Sequence, residues 1–140
     1  MKPHIKQFFE FLEKKENRQI PLKAKLLNPK DYKIGPEDLN VKGDLDLWHT
    51  PIESLPDNLT VEGRLNLFRT QIESLPDNLT VGRTLSLSYT RIKSLPDNLK
   101  VGEDLWLTRT PLAQKYTKEQ IRYMVEENGG SVEESIVTIW

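Results

Sequence analysis

The chain has 140 residues, with 20 Lys and Arg against 21 Asp and Glu, 36% hydrophobic residues and no cysteine. Those values bound a single domain able to bury a real core, and they exclude a disulfide framework, a cysteine nucleophile and a disordered chain. No stretch approaches the roughly 20 apolar residues needed to span a bilayer, and Met1 to Lys15 interleaves charges with its apolar residues, so a soluble, unprocessed, cytoplasmic protein is expected, with no membrane partner.

Along the chain, Ile5, Phe8, Phe9 and Leu12 fall at i, i+3, i+4 and i+7, which predicts an amphipathic helix. Residues 1–33 carry nine Lys or Arg against four Asp or Glu, while 34–140 carry eleven against seventeen. The two parts are therefore +5 and -6. Within the basic part, Lys14, Lys15, Arg18, Lys23 and Lys25, followed by Lys30 and Lys33, form a candidate phosphate-tracking segment, although a solvated helix and loop would carry the same charges.

From Pro36 onward the chain repeats. Ser54 to Val61 returns unchanged at Ser74 to Val81 and, with Lys100 replacing Thr60, at Ser94 to Val101, an offset of twenty residues each time. The unit is P-D-N-L-x-V-x-x-x-L-x-L-x-x-T-x-I-x-S-L, complete at Pro56 to Leu75 and Pro76 to Leu95, with imperfect copies at Pro36 to Leu55 and Pro96 to Gln114. A short fixed period with regular leucines means that no copy buries its own apolar side, so the copies must stack as a solenoid. In each unit the L-x-L run has a period of two and predicts a half-buried strand of a parallel sheet. Leu55, Leu59, Val61 and Ile72 fill the layer. Pro56-Asp57-Asn58 is turn chemistry.

Beyond the repeats, Thr117 and Gln120 stand at capping-box spacing, and Ile121, Met124 and Val125 make an apolar stripe that ends at Gly129 and Gly130. Ser135 to Trp140 reads as a last strand. The expected organisation is a helical cap and connector at 1–35, about four repeats at 36–114 and a helix-strand cap at 115–140, since solenoid ends need lids.

The L-x-L core, with a polar residue three positions on and an apolar one before L-P, resembles the leucine-rich repeat, particularly the short repeats of bacterial and bacteriophage proteins, over Pro36 to about Leu112. The resemblance implies an α/β solenoid with a parallel sheet on a concave face and helical caps at both ends. It implies a protein-binding role, extending to blockade of a host or competitor defence enzyme. Thr50, Thr70, Thr90 and Thr110 stand where that family carries an asparagine ladder, and a hydroxyl ladder offers fewer hydrogen bonds per rung. Effectors of this type that ligate ubiquitin depend on a cysteine, which this chain lacks.

Comparing copies suggests a face. Pro56 to Val61 and Pro76 to Val81 are identical, whereas the positions on and beside the outward side of the strand differ. Stacked in register, those positions give Asp46, Asn66, Ser86 and Trp106; Trp48, Phe68, Ser88 and Thr108; and His49, Arg69, Tyr89 and Arg109. Trp, Tyr and Arg are the residues enriched at interface hot spots. The partner-binding set is therefore Trp48, His49, Phe68, Arg69, Tyr89, Trp106 and Arg109, with Asp44, Asp46 and Arg64 supplying specificity. Aromatics stabilising adjacent strands would produce the same columns. A second reading has nucleic acid bound by the basic segment and the exposed aromatics.

Catalysis finds little support. His4 and His49 are the only histidines, and neither a nucleophile triad nor a glycine-rich phosphate loop is recognisable. Asp44, Asp46 and His49 could approach one another as metal ligands, but Asp44 opposite Arg64 reads better as a solvated ion pair. No enzyme activity and no cofactor or metal are expected.

Overall fold

Each repeat lays down two short strands, not one. The structure, a computed structural model, describes residues 20–139, so the helix expected around Ile5 to Leu12 lies outside the described residues. Strands β1 (Asn40–Val41), β3 (Thr60–Val61), β5 (Thr80–Val81), β7 (Lys100–Val101) and β9 (Ser131–Val132) form one parallel sheet. Strands β2 (Leu45–Asp46), β4 (Leu65–Asn66), β6 (Leu85–Ser86), β8 (Leu105–Trp106) and β10 (Ile136–Val137) form the other. The second sheet is the predicted L-x-L sheet. The first was not anticipated, because L-T-V offers only a brief alternation beside strong turn chemistry. Its Thr faces outward and its Val inward, as a period of two requires. The molecule is a short parallel β-solenoid.

Register follows the period. Leu45 pairs with Leu65, Leu65 with Leu85 and Leu85 with Leu105, each twenty residues on. Backbone bonds cross every step: Leu65 N–H donates to Thr84 O at 3.0 Å, and Leu67 N–H to Ser86 O at 2.9 Å. Buried columns of Leu47, Leu67, Leu87 and Leu107, of Leu59, Leu79 and Leu99, and of Ile52, Ile72, Ile92 and Leu112 form one core. Fully burying each such side chain is worth roughly 1.5–3 kcal/mol.

Two helices interrupt the period at the C-terminal end. Thr110 accepts from Ala113 N–H and starts helix α2 (Pro111–Lys115), after α1 (Leu22–Leu27) near the other end; helix α3 (Lys118–Glu127) follows. The predicted capping box is present, with Thr117 Oγ1 accepting from Gln120 N–H at 3.2 Å and Gln120 Oε1 from Thr117 N–H at 2.9 Å. Ile121 and Val125 enter the core. The chain then rejoins the stack: Ser131 lies opposite Lys100 and Ile136 opposite Leu105, an offset of 31 in place of 20. The last rung is thus a pair of strands beginning at Ser131, ahead of the single strand expected from Ser135.

Among the described residues no further strand bonds the outer edge of that rung. In earlier rungs Val101 O accepts from Glu133 N–H and Glu103 O from Glu134 N–H. The equivalent acceptors of the last rung, Val132 O and Glu134 O, receive the two guanidinium nitrogens of Arg122, each at 2.6 Å. One side chain of α3 takes the place of the two amides that a further coil would offer, which is how an edge is kept from pairing. At the other end Asp38, buried, accepts from Lys25 Nζ at 2.9 Å and from Gly35 N–H at 2.8 Å, tying α1 to the first rung.

Arg122→Met should keep the stem and lose both bonds. The expected result is a loss of about 1–3 kcal/mol of unfolding free energy, with faster hydrogen exchange confined to residues 130–138. An unchanged melting curve would show that water satisfies these carbonyls equally well.

Candidate functional site

The repeats are closed by two kinds of tight turn, although the first copy of the second kind, Pro36-Glu37-Asp38-Leu39, is a 3-10 helix. One follows L-x-L: in Leu47-Trp48-His49-Thr50 the Thr50 N–H and its hydroxyl both donate to Leu47 O, at 3.2 and 2.8 Å. The hydroxyl bond recurs from Thr70, Thr90 and Thr110, at 2.6 to 2.8 Å. The predicted hydroxyl ladder therefore acts within each turn, on the carbonyl three residues back. The other turn is Pro56-Asp57-Asn58-Leu59 and its copies.

Outside the Pro36–Leu39 copy, both turns have positive φ at their third residue. At the second turn that residue is Asn58, Asn78 and Asn98 (φ 63, 63 and 58°), followed in the last rung by Gly129 (φ 84°). Asparagine and glycine are the usual occupants of such a position. The three asparagines also bond along the stack, Asn78 Nδ2 to Asn58 Oδ1 at 2.9 Å and Asn98 Nδ2 to Asn78 Oδ1 at 2.8 Å. An asparagine ladder exists after all, at the P-D-N corner.

The first turn is different. Its third residues are His49, Arg69, Tyr89 and Arg109, with φ of 54, 59, 61 and 59°. A left-handed backbone costs such side chains roughly 1–2 kcal/mol each. The stack holds them there: His49, Arg69 and Tyr89 N–H groups donate to Phe68, Ser88 and Thr108 O at 2.9, 3.2 and 2.9 Å. Sequence reasoning placed these four residues on the face but missed their backbone state, for which only the matching spacing of the fixed asparagines offered a hint.

Side chains on this face divide into two groups. Phe68, half-buried, meets Tyr89 edge to face at a centroid separation of 5.2 Å, and the Arg69 guanidinium carbon lies 5.4 Å from the Phe68 ring centroid and 4.8 Å from that of Tyr89. These three form one cluster. Trp48, 53% exposed, has its ring contact with neighbouring His49 at 5.7 Å. Trp106, 40% exposed, lies three rungs from Trp48, or about 14 Å along the stack. Ser88 is buried, and its hydroxyl accepts from Thr108 N–H. Arg109 completes the column.

Two of the expected specificity residues, Asp44 and Asp46, hold backbone in the structure. Asp44 Oδ1 accepts from the backbone N–H of Arg64 at 2.7 Å, and Asp104 Oδ1 does the same for Ser135 at 2.9 Å. Asp46 Oδ1 accepts from Trp48 N–H and Asn66 Oδ1 from Phe68 N–H, each at 3.1 Å. The partner of Asp44 is thus the Arg64 amide, where a solvated side-chain ion pair was expected. Among the described residues no group of three or more His, Cys, Asp and Glu could hold a metal. Of the basic set, Lys14, Lys15 and Arg18 lie outside the described residues, Lys23 is exposed, and Lys25 is ion-paired with Asp38. No helix among the described residues is long and apolar enough to cross a membrane.

No family model, no curated protein and no solved structure matches the chain.

His49→Asn puts a favoured residue at the turn and should raise unfolding free energy by about 0.5–1 kcal/mol in denaturant titration. A loss of stability would mean that His49 packs against Trp48 more strongly than its backbone costs.

Proposed function

We propose that this chain is a non-enzymatic binding protein that docks another protein on the outward face of the L-x-L sheet and its adjoining turn column. The observation that carries the reading is the contrast between two turns with the same backbone demand. One column is filled by asparagine and glycine; the other keeps His49, Arg69, Tyr89 and Arg109 at a backbone cost. Unfavourable φ maintained at successive exposed positions is a mark of side chains retained for what they contact. Trp48 and Trp106 add exposed aromatic area at either end of the face. The repeat is similar to short leucine-rich repeats of bacterial and bacteriophage proteins, a likeness that extends the proposal to blocking a host or competitor defence enzyme in the cytoplasm.

The nucleic-acid reading draws less support, because Lys25 is committed to Asp38 and the Arg69 guanidinium lies over the Phe68 and Tyr89 rings on which bases would stack.

Trp48→Ala combined with Trp106→Ala should leave stability within about 0.5 kcal/mol, as surface substitutions do, and abolish retention of a stoichiometric protein captured from source lysate at moderate salt. Retention by the double variant would remove the face from the account. Nuclease-sensitive material held equally by both forms would transfer binding to the basic segment.

A further inference from the structure

Resting on that docking reading, we infer that the partner presents an acidic segment to this face and that Arg69 receives one of its carboxylates. The chain as a whole has a formal charge of -1, yet its first-turn segments 48–51, 68–71, 88–91 and 108–111 contain Arg69, Arg91 and Arg109 and no Asp or Glu. These segments carry a formal +3, with His49 in the same column, and the Asp46 carboxylate bonded to Trp48 N–H belongs to the first rung, ahead of Arg69. Arg69 is the preorganised member. Its backbone is fixed by the Ser88 carbonyl, and its guanidinium lies beside two rings that meet edge to face. A guanidinium held this way loses little freedom when it bonds, and its planar fork matches a carboxylate with two parallel hydrogen bonds. The same placement takes up ring surface that a nucleobase would use, so the observations favour a carboxylate-bearing polypeptide over RNA.

The test uses the full chain with a labelled ten-residue glutamate peptide and, separately, a uridine decamer RNA, following affinity by anisotropy and the site by amide chemical shifts. Arg83, paired with Glu103 at the opposite corner of the strand, supplies the control for charge alone. The expected result is that the glutamate peptide shifts the amides of Phe68, Arg69 and Tyr89. Arg69→Gln and Arg69→Lys should each weaken it about tenfold, and Arg83→Gln, which removes one positive charge elsewhere, less than twofold. Equal binding by Arg69→Lys and the parent would overturn the fork, and RNA shifting the same amides at least as tightly would overturn the carboxylate. No shift at this face with the peptide would overturn the inference altogether. Failure here is separable from failure of docking itself: a captured protein lost by the tryptophan double variant but kept by Arg69→Gln leaves the docking face standing and removes only its acidic partner.

Discussion

The backbone hydrogen bond from one coil to the next is the constraint on which everything else in this molecule depends. Leu45, Leu65 and Leu85 N–H groups each donate to the following rung, and a slip of one residue would turn every inward leucine of the L-x-L sheet toward water. Because the strands are only two residues long, little within one coil opposes such a slip. The turns therefore share the work of fixing register. Thr50, Thr70, Thr90 and Thr110 bind their own turns, while Asp44 and Asp104 bind the amide of the next corner.

A frame held this tightly decides where variation is tolerated. Inward columns cannot change volume without disturbing the layers above and below, and the P-D-N corner is held by its asparagine ladder. The first turn has the same dihedral demand, but its third side chain points away from these ladders and carries different chemistry in each coil. Its backbone cost is met by the stack around it. Rigid presentation of variable side chains is the property on which the proposed docking rests, since it keeps ordering costs at an interface small.

Much of the fold was legible in the chain because periodicity is a direct readout of burial. The twenty-residue offset, the inward leucines, the hydroxyl ladder and the capping box at Thr117 and Gln120 all appear where their spacing puts them. Leu59-Thr60-Val61 was too short an alternation to announce a second sheet beside Pro56-Asp57-Asn58. The last rung escaped because α2 and α3 lengthen its offset to 31, and Gly130-Ser131-Val132 keeps only one residue of the repeat, Val132. The face was legible as a set of outward columns. Its internal arrangement was not: the grouping of Arg69 with Phe68 and Tyr89 is a diagonal contact across rungs, and the binding of Asp44 to an amide is invisible in residue type. Lys25 and Asp38, thirteen residues apart, meet only because α1 folds back on the first rung.

The central claim is that the His49, Arg69 and Tyr89 column is held as firmly as the core while its side chains remain outward. Native-state hydrogen exchange at residue resolution measures that directly. Protection of these three amides within about tenfold of Leu65 and Leu85 is expected, because all five donate to the next rung. Near-random-coil exchange at His49, Arg69 and Tyr89 beside a protected core would contradict it, leaving the turn column a loose fringe with no prepared surface.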